Sequence, residues 1–341
     1  MGSKEENLLQ PFSVEVLNLD VERVVPELEA AIREIVLRRL HRKGVVVGLS
    51  GGIDSSVTAA LCVRALGKDK VFGVMMPESE SSGESLQLAR QLIDTLEIAS
   101  VVDDIALTLQ AIGCYRLRDE AIRKVIPEYG EGWKSKIVLP DLLDNAYYPL
   151  FSVVAISPTG EMRRARLTPE AYLGVVAATN FKQRIRKTLE YYHADRLWYA
   201  VAGTPNRLEY AQGFFVKNGD GSADFKPIAH LYKSQVYQLG KSLGVPEVIL
   251  QRPPTTDTYS LEQSQEEFYF ALPLEKMDLC LYGKNCGLPA AEVGAAIGLP
   301  GEKVERVYSM IDSKLRASVY LHMPPQLIES VDEVKQSCHV R

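Results

Sequence analysis

The segment Ser50-Gly51-Gly52-Ile53-Asp54-Ser55-Ser56 concentrates the residue types that could do chemistry. Adjacent glycines let the backbone approach a ligand with no Cβ in the way. Free N–H groups at the start of a following helix favour a phosphate or pyrophosphate. Ser50, Ser55 and Ser56 add hydroxyl donors, and Asp54 can hold a magnesium ion against phosphates. The bland alternative is a tight strand-to-helix turn capped by Asp or Ser. The full string in a strand–turn–helix setting favours the ligand.

A second concentration lies downstream. Gly203-Thr204-Pro205-Asn206-Arg207-Leu208-Glu209 follows an expected strand. Gly213-Phe214-Phe215-Val216-Lys217-Asn218-Gly219-Asp220-Gly221-Ser222-Ala223-Asp224 comes next, and Pro227-Ile228 leads into Leu231-Tyr232-Lys233. Gly219-Asp220-Gly221 permits a sharp turn that carries Asp220 to a ligand, or a plain surface turn. Lys217 and Arg186 suit phosphates or a carboxylate, though a solvated charge is the commoner fate of a single cation. Glu209 completes a magnesium site with Asp54 or faces solvent, and its place after a strand-end loop favours the site. Gly240-Lys241-Ser242 imitates the end of a Walker loop, but Gln235 stands where the upstream glycine is needed. No GxGxxG fingerprint is present, and no Glu sits where an EF-hand loop needs one.

These residues need a scaffold, and the pattern supplies one. Residues 20–40 read as an amphipathic helix with Val24, Leu28, Ile32, Ile35 and Val36 on one stripe. Val45-Val46-Val47 reads as a buried parallel strand. A helix over 57–66 ends at Gly67. Strands are expected at 71–76, 101–105 and 198–202, and helices at 85–96, 181–192 and 231–243. The alternation predicts an α/β fold, a doubly wound, mostly parallel sheet flanked by helices. Ligands bind beyond the carboxyl ends of such strands, where the loops after Val47, Met76 and Ala202 lie. Residues 113–170, rich in Pro, Tyr and Arg, break the rhythm. They read as an insertion containing a hairpin (151–156 and 161–167) that serves as a lid or a dimer contact. Arg163, Arg164 and Arg166 there meet substrate phosphates or lie on an exposed edge.

Composition narrows the classes. The 341 residues are 46% hydrophobic with 39 basic and 44 acidic side chains, a net charge of −5. That balance does not favour a nucleic-acid binder. No apolar run reaches membrane-spanning length, and Met1–Asn7 lacks the core of a signal peptide. Five cysteines without a CxxC pair favour neither a disulfide framework nor a zinc site, and suit a reducing cytoplasm. Residues 290–312 look like a helix-turn-helix, yet Glu302 and Glu305 offset Lys303 and Arg306, leaving no basic face for DNA. The five histidines lie away from the motifs: His41, His193, His230 and His322 in or beside expected helices, His339 in a polar tail.

The SGGxDSS string resembles the pyrophosphate loop of the N-type ATP pyrophosphatases (the PP-loop type, Rossmann-like). With the GT-N-x-E and GDG-centred segments, the L-x-K helix start and Asn180-Phe181-Lys182-Gln183-Arg184-Ile185-Arg186, the chain resembles the NAD synthetase family. The likeness covers roughly 20–110 and 178–325, so residues 20–325 are read as a single domain, with 326–341 a polar C-terminal tail. Departures are Val216 and Asn218 in place of Thr and Tyr, no glycine in the Gln265–Phe270 patch, and Ser313-Lys314-Leu315 for His-Lys-Arg.

The resemblance implies ATP-dependent amidation of nicotinic acid adenine dinucleotide (deamido-NAD) to NAD through an acyl adenylate, with AMP and pyrophosphate released. It implies ATP contacts at Gly48, Ser50, Gly51, Gly52, Asp54, Ser55, Thr204, Lys233 and Thr255. Asp54 and Lys233 are implied as catalytic, Asp54 and Glu209 as Mg2+ ligands, and Arg186, Lys217, Asp224 and Lys314 as dinucleotide contacts. A homodimer is implied too. No cysteine-bearing glutaminase domain precedes residue 20, so free ammonia, or ammonia from a separate glutaminase partner, is expected. The alternatives left open are another PP-loop enzyme that adenylates a different carboxylate or a tRNA, and DNA binding.

Overall fold

The computed structural model describes residues 12–138, 151–254, 259–261, 269–270 and 272–331. Helix α1 (Val21–Arg33) is capped by the Asp20 side chain, which accepts from Arg23 N, and runs on into a wider turn over Glu34–Arg39. It leads to β1 (Val45–Gly48), α2 (Ile53–Leu66), β2 (Val71–Met75), α3 (Gly83–Leu96) and β3 (Ala99–Val102). Two helices follow, α4 (Ala106–Ala111) and α5 (Cys114–Arg123). Next come three strands, β4 (Lys134–Val138), β5 (Ser152–Ile156) and β6 (Met162–Arg166). The chain returns through the long α6 (Pro169–Leu197) to β7 (Ala200–Ala202) and α7 (Arg207–Gln212). It closes with α8 (Lys233–Ser242), α9 (Glu247–Leu250), α10 (Leu274–Asn285), α11 (Ala290–Ile297) and α12 (Gly301–His322).

The main sheet has the order β3-β2-β1-β7, and every pair is parallel. The two-residue period of a strand sorts its side chains between two layers. Val45, Val47, Val71, Met75, Ala200 and Ala202 pack with α1, α2, α3 and α8. Val46, Val74 and Val201 point the other way, onto Ile105, Leu109, Cys114 and Ala194. Helices therefore cover both faces of the inner strands, which is why β1, β2 and β7 are built of apolar residues and glycine. A separate cluster built on Leu208, Phe270, Met277, Val293, Val304 and Ile311 joins α7 to the C-terminal helices.

Two elements depart from the sequence pattern. Strand β3 starts two residues before the expected 101–105 and ends at Val102. It is an edge strand with mostly exposed side chains, so pairing to β2 sets its limits rather than an apolar run. Helix α6 starts twelve residues before the expected Phe181. Thr168 caps it by accepting from Ala171 N, and Pro169 stands in the first turn, where a missing N–H costs nothing. Its buried residues recur at helical spacing (Ala171, Val175, Ala178, Lys182), but Thr179, Lys187, Glu190 and His193 are buried with them, so no apolar stripe announces it.

Within 113–170, Cys114 belongs to the layer beneath the main sheet, and α5 packs on α6. Strands β4, β5 and β6 form an antiparallel sheet, with Val153 opposite Ala165 and Ile137 opposite Val153. Val153 and Ala155 pack with Ile137, Leu167, Val175 and Tyr129 into a small core of their own.

Candidate active site

The glycine segment leaves the carboxyl end of β1, between β2 and β7. Gly51 has φ +75°, a conformation that L side chains rarely adopt. A Cβ there would also lie 2.4 Å from the Ser85 carbonyl oxygen of α3. Gly52, in extended conformation, begins α2 with no side chain capping it, so the first-turn N–H groups are offered to a ligand. The hydroxyls are held in place: Ser55 Oγ donates to Gly52 O at 3.1 Å, Ser56 Oγ donates to the same oxygen at 2.8 Å, and Ser50 Oγ lies 3.3 Å from Ser55 Oγ.

This loop forms part of the wall of a cavity of about 430 Å³. Asp54 stands at its centre. The Lys233 ammonium, the first residue of α8, is ion-paired to Asp54 Oδ2, and Asn206 Nδ2 donates to Asp54 Oδ1 at 3.2 Å. Burial by itself would lower the Lys233 pKa, but the Asp54 and Glu209 carboxylates outweigh it and hold the ammonium above its ordinary value. Lys233 is thus a permanent cation facing the loop. Asp278 of α10 fixes the start of α8, accepting from Lys233 N at 3.2 Å and Ser234 N at 2.8 Å. Desolvation pushes the Asp278 carboxyl up to about 6 against those bonds.

Asn206 and Glu209 make a capping box at the start of α7: Glu209 N donates to Asn206 Oδ1, and Asn206 N donates to Glu209 Oε2, both at 3.2 Å. Glu209 is thereby held buried on the cavity wall within electrostatic reach of Lys233. Thr204 and Gly48 line the same cavity. Two acidic oxygen donors with a neighbouring lysine suit magnesium, which takes one or two carboxylates and completes its shell with water and phosphate oxygens. Among the described residues no cluster of three or more His, Cys, Asp or Glu could hold a metal by itself.

The residues expected on the dinucleotide scatter. Arg186 lines the cavity, its Nε donating to Met76 O at 3.4 Å. Lys217 does not: its Nζ donates to Tyr320 O at 2.7 Å and Met323 O at 3.0 Å, tying down the end of α12. Asp224 braces the sheet, accepting from Val201 N at 2.7 Å and Tyr191 Oη at 3.3 Å. Lys314 lies behind the cavity-lining Tyr269, donating to its carbonyl with the ammonium 3.7 Å from the ring centroid. Burial pushes its pKa down to about 7. Thr255 falls outside the described residues.

Other cavity residues carried no sequence signal. Lys182 is buried between Glu78 at 2.9 Å and Glu80 at 2.6 Å, and Arg118 joins the same network. The Glu80 carboxyl stays below its ordinary value because Lys182 and Arg118 outweigh its desolvation. Lys187 pairs with Glu190 at 2.6 Å. Asn206 stood in the Gly203–Glu209 segment, and its spacing to Glu209 is also the capping pattern. The pairing of Lys182 with Glu78 and Glu80 could not have been found, since its members lie 104 and 102 residues apart, whereas Lys187 and Glu190 are only three apart on α6. Asp220 is where the GDG turn suggested: it lines the cavity and accepts from Val216 N at 2.8 Å, and desolvation raises its pKa. His193 is structural, buried 2.7 Å from Asp103.

A glycine cradle at the end of a parallel strand, faced by a lysine and two carboxylates, defines a phosphate-handling α/β protein. The model of the NAD synthase family matches residues 24–126 and 149–316, and the chain belongs to that family. It is 56% identical over 324 residues to the NH(3)-dependent NAD(+) synthetase of Rhizobium meliloti (strain 1021), covering 95% of this chain and 97% of the relative. The Thermotoga maritima protein of the same name is 40% identical over 222 residues, 65% of this chain and 73% of the relative. Among solved structures, the NH3-dependent NAD synthetase of Campylobacter jejuni superposes with a TM-score of 0.59 at 23% identity, covering 92% of this chain and all of the other. The NMN synthetase of Francisella tularensis gives 0.63 at 21%, with the same coverage. At such identities these two speak for the fold alone. The family model passes over residues 127–148, which include β4 of the antiparallel sheet.

Proposed function

We propose that this chain is an ammonia-dependent ligase that converts deamido-NAD to NAD at the expense of ATP. The observation that carries the proposal is the buried Lys233–Asp54 pair facing the glycine cradle in a chain of this family. A carboxylate does not accept ammonia in water, because it has no adequate leaving group and repels nucleophiles. Attack of the pyridine carboxylate oxygen on the α-phosphorus of ATP forms the acyl adenylate, and the bond to the bridging oxygen breaks to release pyrophosphate. Ammonia then adds to the acyl carbon, and the bond to AMP breaks.

The residues have separate tasks in this scheme. The loop N–H groups and Ser50, Ser55 and Thr204 hold the phosphates that leave. Lys233, kept charged, stabilises the developing negative charge. Arg186 takes an anionic part of the dinucleotide. Asp220, a desolvated carboxylate, suits proton transfer from an incoming ammonium. Asp54 and Glu209 are proposed to hold Mg2+, which supplies charge neutralisation for the phosphates when bound. Lys217, Asp224, Lys314 and Thr255 remain proposed contacts by resemblance.

A homodimer and a cytoplasmic setting belong to the same proposal. The sheet of β4, β5 and β6 is a lid or a dimer contact in this reading. Among the described residues no helix is long and apolar enough to cross a membrane. Free ammonia, or ammonia from a separate glutaminase partner, is the nitrogen source.

Mass analysis of the products formed from ATP, ammonium and deamido-NAD tests the reading. NAD, AMP and pyrophosphate are expected. ADP as the spent nucleotide, or ATP–pyrophosphate exchange that ignores deamido-NAD, would overturn it.

A further inference from the structure

The lysines on the cavity wall are closely matched by acids: Lys182 by Glu78 and Glu80, Lys187 by Glu190, Lys233 by Asp54. Arg252 is not. It follows α9 and lines the cavity, and its side chain is 14% exposed. Among the described residues its acidic partner is Glu84, 3.7 Å from Nε, and that side chain is 68% exposed. Its Nη2 donates instead to two neutral hydroxyls, Ser85 Oγ at 3.0 Å and Ser82 Oγ at 3.4 Å. A solvent-screened acid at that distance offsets little of a mostly buried guanidinium's charge. The side chain therefore carries positive charge into the cavity that the described residues largely leave uncancelled.

Its position says what the charge is for. Ser82 and Ser85 open α3, and the Ser85 carbonyl is the atom that a Cβ on Gly51 would strike at 2.4 Å. Arg252 is thus separated from the phosphate loop by one residue of α3. Guanidinium is the side chain whose planar donors match phosphate oxygens two at a time.

We infer that Arg252 is a pyrophosphate-binding residue. In this role it leaves the Ser82 and Ser85 hydroxyls to grip the pair of phosphates that ATP sheds. The inference rests on the proposed ATP chemistry and adds a residue to it. The dinucleotide carries a diphosphate of its own, so the two sources must be separated.

Arg252→Gln and Arg252→Lys, checked for folding by circular dichroism and melting temperature, provide the test. Arg252→Gln is expected to raise the KM for ATP and weaken inhibition by inorganic pyrophosphate at least tenfold, while the KM for deamido-NAD stays within twofold. Arg252→Lys should recover part of the pyrophosphate affinity, since it keeps the charge but not the fork. If Arg252→Gln does not fold, the lysine variant carries the test through pyrophosphate inhibition. A changed KM for deamido-NAD with unchanged pyrophosphate inhibition would overturn the inference in favour of the dinucleotide's diphosphate. Unchanged constants for all three would overturn it outright. Wild-type protein that makes ADP would instead sink the underlying ATP reading.

Discussion

The two ends of the cavity are built on different principles. At the glycine loop, Ser50, Gly52, Asp54, Ser55, Thr204, Glu209 and Lys233 all reach one space. At the other end, of the four residues that resemblance places on the dinucleotide, Arg186 lines the cavity. Lys217 secures α12, Asp224 braces β7, and Lys314 supports Tyr269 from behind. The phosphate end is preorganised by backbone geometry, as electrostatic catalysis requires. The residues that resemblance places on the dinucleotide share no such frame: three of the four bond to other elements instead.

Breaking the phosphate end should have the largest effect. Lys233→Met removes the permanent cation and is expected to lower kcat/KM by about 10²–10³-fold, the scale of losing one stabilising donor. It also leaves Asp54 unpaired, at a cost of about 3–5 kcal/mol if the site stays dry. Steady-state kinetics and denaturant melts read the two losses separately, and activity within tenfold of wild type would remove Lys233 from the chemistry. Gly51→Ala comes next. Its left-handed backbone costs about 1–2 kcal/mol for an alanine, and the Ser85 carbonyl must also move. ATP–pyrophosphate exchange should be nearly abolished while the fold persists by circular dichroism.

The dinucleotide end should respond more gently. Lys217→Met is expected to raise the KM for deamido-NAD about tenfold, equivalent to about 1.4 kcal/mol. The KM for ATP should not move. A drop in melting temperature with both constants unchanged would show that Lys217 serves α12 alone, and would widen the contrast between the two ends.

The last effect is on stability alone. Burial favours the neutral Lys314 amine and sets its pKa near 7, against an ordinary 10.5. Between those values the unfolded chain holds a proton that the folded chain lacks, so this residue makes stability rise with pH across the window. Below pH 7 both states are protonated and its contribution is flat. Lys314→Met should flatten the rise, by up to about 1.4 kcal/mol per pH unit in denaturant titrations. An unchanged slope would mean that Lys314 remains charged beneath Tyr269.

What was legible in the sequence was local. The Val45–Val47 run, the glycine string and the helix after it prescribe a strand, a turn and a helix N-terminus from neighbouring residues alone, and the parallel α/β sheet follows from repetition of that unit. Capping is local as well, which is why Asn206 and Glu209 could be paired from their spacing. Tertiary structure decided the rest. It joined Asp54 to Lys233 across 179 positions and Lys182 to Glu78 across 104. It began α6 at Pro169, where burial of Thr179, Lys182, Lys187 and Glu190 hides the apolar period. It also turned Lys217 and Asp224 toward other elements. Backbone conformation responds to immediate neighbours, whereas the partner of a charge is whichever group the packing of the layers brings near.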